Sequence, residues 1–179
     1  NDTENVIKEH DVMGCKYIGI GMMPKKYCSP EWLWHFADDY KEAARKIAAA
    51  GKLLMYHNHN VEFQKFGGKL VIDTLLESFA PGELGFTLDT YWVHMGGADV
   101  CAWMEKLSGR IPCIHLKDMA VSGWEPVMAP VGEGNLDFDK IIKTAKRCGT
   151  EHLLVEQDTC VGSPFDCLEI SFKNLRGKY

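Results

Sequence analysis

Short apolar runs alternate along the chain with longer segments in which apolar residues recur every three or four positions. Continuous apolar runs are typical of strands buried on both faces, and the longer recurrence is typical of amphipathic helices. The runs that we predict as strands are residues 17–21, 52–59, 84–90, 111–116 and 152–156. The segments that we predict as helices are residues 30–50, 71–79, 100–107, 138–148 and 164–175. This alternation predicts parallel βαβ units and therefore an α/β fold.

Two Ser-Pro pairs predict where helices begin. Ser29-Pro30 and Ser163-Pro164 each place an N-cap residue before a proline at the first helical position. Gly51 predicts the end of the first of these helices, because glycine accepts the left-handed backbone conformation that often follows a helix. We find no domain boundary or low-complexity segment, and we expect a single domain over residues 1–179.

The βα units are compatible with both an open, doubly wound sheet and a closed barrel. In dinucleotide-binding sheets a Gly-x-Gly-x-x-Gly motif follows a strand and opens a helix. Here Gly132 and Gly134 lie in a loop before a helix, and no third glycine stands at the required position. The sequence therefore disfavours dinucleotide binding.

Composition and charge exclude several classes of protein. Apolar residues make up 46% of the chain and charged residues 25%, as in ordinary globular proteins. No apolar run approaches the ~20 residues that a membrane-spanning helix needs. The formal net charge is −5 and the basic residues are scattered, whereas surfaces that bind nucleic acids are basic. We expect neither a membrane nor a nucleic acid as a partner.

The seven cysteines predict a reducing compartment. Their number is odd, several lie inside apolar runs, and none forms a Cys-x-x-Cys pair. Buried free thiols explain this pattern better than a disulfide framework does, and we expect a cytoplasmic location.

Four consecutive predicted strands end in residues that can bind a metal ion. These residues are His57, His59 and the nearby Glu62 after the second strand, Asp89 after the third, His115 after the fourth and Glu156 after the fifth. The carboxyl ends of the strands of a parallel barrel meet at one mouth, where active sites lie. Carboxylates mixed with imidazoles suit Mn²⁺, Fe²⁺, Co²⁺ or Zn²⁺ better than Ca²⁺. The pattern predicts a divalent-metal site at this mouth.

Each of these residues taken alone has an ordinary structural explanation. A single histidine at a strand end usually forms a structural hydrogen bond, Asp89 could cap the following turn, and Glu156 could pair with a surface lysine. Lys117 and Asp118 would ordinarily form a solvated pair. The metal site is favoured because ligand-type residues end all four strands.

Five segments also carry a resemblance to a known family. They are Leu54-Met55-Tyr56-His57-Asn58-His59-Asn60-Val61-Glu62-Phe63, Thr87-Leu88-Asp89-Thr90-Tyr91-Trp92, Ile114-His115-Leu116-Lys117-Asp118-Met119, Gly132-Glu133-Gly134-Asn135-Leu136 and Val155-Glu156-Gln157-Asp158. In these segments, and in their order and spacing along the chain, the sequence resembles the xylose isomerase-like TIM barrel superfamily and its sugar phosphate isomerase/epimerase group. The resemblance implies a (β/α)8 barrel with a metal bound by Glu, Asp, His and Glu, and Asp89, His115 and Glu156 match the last three positions.

The chain departs from the family pattern at the first ligand position. Many relatives have Glu-Asn-His where this sequence has His57-Asn58-His59, so His57 stands in place of the usual glutamate. Glu62 could supply the carboxylate instead, and the sequence leaves open which of His57 and Glu62 binds, or whether both do. A lyase, either inosose dehydratase-like or a keto-glycoside eliminase, thereby becomes an alternative to an isomerase.

The resemblance further implies that the barrel is incomplete. The first predicted strand corresponds to the fourth of the barrel, which leaves about five βα units, strands 4–8, of a fold that usually has about 250 residues. We expect a C-terminal fragment whose N-terminal strands are missing, or a piece that closes with partner chains as a homo-oligomer. A truncated, non-catalytic sugar-binding barrel is the alternative from another class.

The activity implied by the resemblance is that of a metal-dependent sugar isomerase or epimerase, which removes a proton next to a carbonyl and forms an enediolate. Manganese is the expected metal, with Co, Fe, Zn or Mg as alternatives. The expected ligands are Glu62, Asp89, His115 and Glu156, with His57 as a further candidate. The expected catalytic residues are His59, Glu62 and Glu156, and the expected contacts with the sugar or keto-polyol substrate are His57, Trp92, Lys117 and Trp124.

Overall fold

The computed structural model describes residues 2–177 of the chain. The chain divides into two compact units, Asn1–Thr87 and Leu88–Tyr179, which we call the N-terminal unit and the C-terminal unit. The boundary falls inside the strand Leu84–Asp89, so the carboxyl end of this strand belongs to the C-terminal unit. The single domain over residues 1–179 stays a prediction.

The N-terminal unit contains three strands that pair in parallel. Its elements are α1 (Thr3–Val12), β1 (Tyr17–Ile20), α2 (Leu33–Ala49), β2 (Leu53–His57), β3 (Lys65–Phe66), β4 (Lys69–Leu70), α3 (Val71–Ser78) and β5 (Leu84–Asp89). Strand β2 lies between β1 and β5, with Leu54 opposite Ile18 on one side and opposite Leu84 on the other. The short strands β3 and β4 form an antiparallel pair. The continuous apolar run predicted as the second strand is therefore the central strand of this unit.

Helix α2 begins later than predicted. Instead of capping the helix, Ser29 opens a turn, and its carbonyl accepts hydrogen bonds from the backbone N–H groups of Trp32 and Leu33. Helix α2 then runs over Leu33–Ala49 and buries one face, on which Phe36 packs against Tyr56 at a ring distance of 5.8 Å. The prediction that the helix starts at Pro30 was wrong by about one turn, because the first N–H groups are satisfied by the turn.

The C-terminal unit contains the remaining parallel pair and a hairpin. Its elements are α4 (Thr90–Met95), α5 (Val100–Lys106), β6 (Cys113–Leu116), β7 (Asp118–Ser122), β8 (Glu125–Ala129), α6 (Phe138–Arg147), β9 (His152–Val155) and α7 (Pro164–Leu175). Strands β6 and β9 pair in parallel, with His115 opposite Leu154. Helix α7 begins as predicted, with Ser163 as its N-cap and Pro164 at its first position. The predicted alternation of strands and helices is confirmed, and the fold is of the α/β class.

The hairpin β7–β8 was not predicted. Its two strands are antiparallel, and Ser122 and Glu125 form the last pair before a two-residue turn. Gly123 has a φ of 62° in this turn, a value that favours glycine at the first turn position of a tight hairpin. The Gly-Trp dipeptide between two β-rich runs was the sequence signal.

Asp118, the first residue of β7, organises the loop that follows the hairpin. Its carboxylate is fully buried and accepts hydrogen bonds from four backbone N–H groups. The donors are Met119, Gly132, Gly134 and Leu136, at distances of 2.8, 2.9, 2.9 and 3.2 Å. The Gly-Glu-Gly-Asn segment therefore folds around this carboxylate, and the ordinary explanation of Asp118 as half of a solvated pair does not hold.

All seven cysteines are free thiols. Cys15 and Cys28 are exposed, Cys160 is half-buried and the other four are buried. No helix within residues 2–177 is long and apolar enough to cross a membrane. The cytoplasmic location stays a prediction.

Candidate metal centre

Three of the predicted metal ligands meet within the C-terminal unit. Asp89 is the last residue of β5, His115 lies in β6 and Glu156 directly follows β9. One ligand atom from each of these side chains lies within 4.8 Å of the others. The carboxyl ends of the parallel strands bring these three residues together, and the group could hold a metal ion.

The imidazole of His115 lies between two carboxylates. Its Nδ1 is 2.6 Å from Oε2 of Glu156 and 3.7 Å from Oδ2 of Asp89, which is fully buried. Burial lowers the pKa of His115, but the hydrogen bonds and charges of Asp89 and Glu156 outweigh burial and raise this pKa to about 9. The two carboxylates thus favour the protonated, positively charged form of His115.

Lys117 places a second positive charge in the same group. Its side chain is 1% exposed, and its Nζ lies 2.6 Å from Asp158, 3.4 Å from Glu156 and 3.6 Å from Asp89. Burial lowers the pKa of Lys117, but the hydrogen bond to Asp158 and the charges of all three carboxylates raise it above its usual value. The ordinary explanation, a solvated pair with Asp118, does not hold for Lys117, and its contact with substrate stays a prediction.

Three hydrogen bonds to backbone groups tie the start of helix α4 to the strand ends that carry these residues. Oδ1 of Asp89 accepts a hydrogen bond from the backbone N–H of Trp92 at 3.0 Å and thereby caps helix α4. The hydroxyl of Thr90 donates to the carbonyl of Lys117 at 2.8 Å and accepts from its N–H at 3.0 Å. The first turn of α4 is thus bonded to both the end of β5 and the end of β6.

The donor set fits a divalent cation. The formal charge of the group is −2 when His115 is neutral, because three carboxylates (Asp89, Glu156 and Asp158) surround one ammonium, that of Lys117. A divalent cation balances this charge. Carboxylate oxygens and an imidazole nitrogen are ligands that Mn²⁺, Fe²⁺, Co²⁺ and Zn²⁺ all accept. Asp158 was missed by the sequence analysis, although its position two residues after Glu156 was a usable signal.

The remaining predicted ligands lie in the N-terminal unit. Nδ1 of His57 is 3.0 Å from the carbonyl oxygen of Gly21, and the rings of His57 and His59 are 4.7 Å apart. Glu62 is fully buried, and it accepts hydrogen bonds from the hydroxyl of Tyr56 at 2.5 Å and from the backbone N–H of His59 at 2.6 Å. Both oxygens of Glu62 are therefore engaged within this unit.

Because the Tyr56 hydroxyl donates a hydrogen bond to Glu62, we expect a Tyr56→Phe variant to be less stable than the wild type. Loss of the hydroxyl leaves a buried carboxylate with one donor fewer, which should lower the free energy of unfolding by about 1.5–3 kcal/mol. The measurement is urea unfolding followed by circular dichroism. Tyr40→Phe makes the same chemical change on a half-buried ring and should have little effect. Equal losses for the two variants would show that the bond to Glu62 adds no stability.

The two tryptophans predicted as sugar-ring contacts lie in different surroundings. The Trp92 ring packs edge-on against Tyr91, and Nζ of Lys117 lies 5.2 Å from its centroid. Trp124 occupies the hairpin turn and is 98% exposed. Trp92 therefore lies next to Lys117 and the carboxylates that Lys117 contacts, and the sugar-binding role of both rings stays a prediction.

Solved structures of similar fold include several enzymes. A sugar phosphate isomerase/epimerase from Parabacteroides distasonis is 27% identical, with a TM-score of 0.80, over 97% of this chain and 63% of that one. A second such protein from the same organism is 23% identical, with a TM-score of 0.78, over 98% of this chain and 64% of that one. The probable 3-DHS dehydratase AsbF of Bacillus anthracis is 16% identical, with a TM-score of 0.77, over 97% of this chain and 68% of that one. The chain spans less than two thirds of the first two structures.

Comparison with curated proteins gives no significant match. The sequence profile described as "Xylose isomerase-like TIM barrel" matches residues 1–161. The parallel strands and intervening helices of the two units agree with an incomplete barrel of this type, as the sequence predicted. The chain therefore belongs to the xylose isomerase-like TIM barrel family.

Proposed function

We propose that this chain carries the metal-binding part of an enzyme that removes a proton next to the carbonyl of a sugar or keto-polyol. The observation that supports this most is the group formed by Asp89, His115 and Glu156, with ligand atoms within 4.8 Å of one another. Structures of similar fold bear isomerase, epimerase and dehydratase names, which agrees with chemistry of this kind. We take isomerisation or epimerisation as the reaction.

We propose Asp89, His115 and Glu156 as three metal ligands, and the fourth, for which the sequence offers His57 or Glu62, stays a prediction. A carbonyl oxygen only accepts hydrogen bonds, so Nδ1 of His57 donates to Gly21 and the ring's lone pair is on Nε2. This tautomer, fixed by a backbone carbonyl, is the common one for metal-binding histidines. The bonds that Glu62 accepts favour His57 over Glu62 as the ligand. Carboxylates and imidazoles suit manganese, our proposed metal, and also Co, Fe or Zn.

A divalent ion held by these residues would act as a Lewis acid on the carbonyl oxygen of the substrate. Glu156 is our proposed proton acceptor, because its side chain is 35% exposed and its carboxylate is held by His115 and Lys117. A positioned base of this kind contributes about 10²–10⁴ in rate. We propose His59 as the second proton carrier, with its backbone N–H held by the buried Glu62.

A lyase is the second candidate function. The observation that favours it is His57 in the position where many relatives have glutamate, because two opposed glutamates suit proton transfer between adjacent carbons. The two reactions differ in their products, since an isomerase conserves the composition of the substrate and a dehydratase releases water. Proton NMR of the reaction products distinguishes them.

The metal content of purified protein tests the proposed site. After incubation with Mn²⁺ and desalting, we expect about one manganese per wild-type chain and almost none in Asp89→Asn. The asparagine keeps an oxygen that can accept the hydrogen bond from Trp92, so helix α4 should persist. Elemental mass spectrometry gives the metal content, and circular dichroism gives the fold.

Asp166→Asn is the matched control, because it removes one carboxylate charge from the exposed first turn of α7. This variant should retain manganese. A folded wild-type chain without metal, or an Asp89→Asn variant that retains it, would contradict the proposed site.

A further inference from the structure

Asp158 holds the ammonium group of Lys117 more closely than the two proposed ligands do. The distance from Nζ of Lys117 is 2.6 Å to Asp158, against 3.4 Å to Glu156 and 3.6 Å to Asp89. Only the first distance is within the normal range of a charged hydrogen bond. Lys117 is thus drawn toward the one carboxylate that is not a proposed ligand.

Burial limits the groups that the Lys117 ammonium can contact. The Lys117 side chain is 1% exposed, so water cannot replace a lost carboxylate without a change in structure. The carboxylate oxygens that face it are Oδ2 of Asp89 and Oε2 of Glu156, the same two that face His115. A lysine that moved onto these oxygens would compete with a metal ion for them.

We infer that Asp158 is a positioning residue, which keeps Lys117 away from the metal-binding oxygens of Asp89 and Glu156. The inference rests on the proposed metal site. The Asp158 side chain is 44% exposed, so a substitution there is compatible with folding. Asp158 then raises metal affinity without touching the ion, through Lys117.

The affinity of Asp158→Asn for Mn²⁺ tests this inference. We expect a dissociation constant about tenfold to a hundredfold higher than that of the wild type, the usual effect of losing a partner that orients metal ligands. Electron paramagnetic resonance of free Mn²⁺ measures the binding in the 179-residue chain. Asp158→Glu should restore most of the affinity, and Asp166→Asn, with the same charge change, should bind as the wild type does. Wild-type affinity in Asp158→Asn would overturn the inference and leave the metal site intact.

A double-mutant cycle separates action through Lys117 from a direct effect of charge. In a Lys117→Met background, Asp158→Asn should no longer change the affinity, because no ammonium remains to be held. An unchanged loss of affinity in that background would overturn the inference.

Lys117→Met leaves three carboxylates without their cation and could fail to fold. A crystal structure of metal-free Asp158→Asn serves in that case, and we expect Nζ of Lys117 within about 3 Å of Oε2 of Glu156. A lysine that stays at its present distance from Glu156 would contradict the inference. A wild-type chain that binds no Mn²⁺ would overturn the proposed site and this inference together.

Discussion

Gly134→Ala is expected to lower the free energy of unfolding by about 2.5–6 kcal/mol, the sum of overpacking and a lost hydrogen bond to a charge. A Cβ at this position would overlap Oδ1 of Asp118 and lie 2.5 Å from the carbonyl oxygen of Met119. Neither atom can retreat easily, because Asp118 is held by four backbone N–H groups and the other atom is backbone. The loop has to move away, and the buried carboxylate then loses donors.

Urea unfolding of Gly134→Ala and Gly82→Ala measures this effect. Gly82 has an ordinary φ, and a methyl group added there would meet no atom within 4 Å, so its alanine variant should stay within about 0.5 kcal/mol of the wild type. Equal stability of the two variants would show that the loop does not depend on its close approach to Asp118.

Glu156→Gln is expected to lower the rate of substrate proton exchange by about 10²–10⁴, the usual contribution of a positioned base. The amide cannot accept the proton, but its oxygen can still accept hydrogen bonds from His115 and Lys117. The fold should therefore persist while the chemistry is lost. The first substrates to test are ketopentoses, ketohexoses and keto-inositols.

Deuterium incorporation next to the carbonyl, followed by NMR in heavy water with Mn²⁺ present, measures this rate. Glu169→Gln makes the same change on an exposed side chain that pairs with Lys173, and it should be as active as the wild type. Full activity of Glu156→Gln would exclude Glu156 as the base. A wild type that binds manganese but exchanges no proton in any sugar would favour the non-catalytic, sugar-binding alternative.

The order of strands and helices could be predicted because the apolar runs of buried strands and the three-to-four-residue recurrence of helices are both visible in short stretches of sequence. Buried strands are short apolar runs, and the residue that follows each run is at the strand's carboxyl end. This is why Asp89, His115 and Glu156 could be grouped from the sequence, and the structure places their ligand atoms close together. Their role as ligands stays a prediction.

The partners of charged side chains could not be predicted from the same local pattern. Lys117 and Asp118 follow each other in sequence, yet one contacts carboxylates from other strand ends and the other accepts hydrogen bonds from a loop more than ten residues away. Burial of both depends on contacts between distant segments. The predicted start of helix α2 at Pro30 was wrong because a Ser-Pro pair suits a turn as well as the first turn of a helix.

The two carboxylate oxygens of Asp89 have different partners, since Oδ1 caps helix α4 through Trp92 and Oδ2 faces His115. While the cap persists, Oδ2 would be the oxygen of Asp89 more available to a bound cation, since the hydrogen bond from Trp92 already occupies part of Oδ1. The first turn of a short helix thereby orients the carboxylate that we propose as a metal ligand.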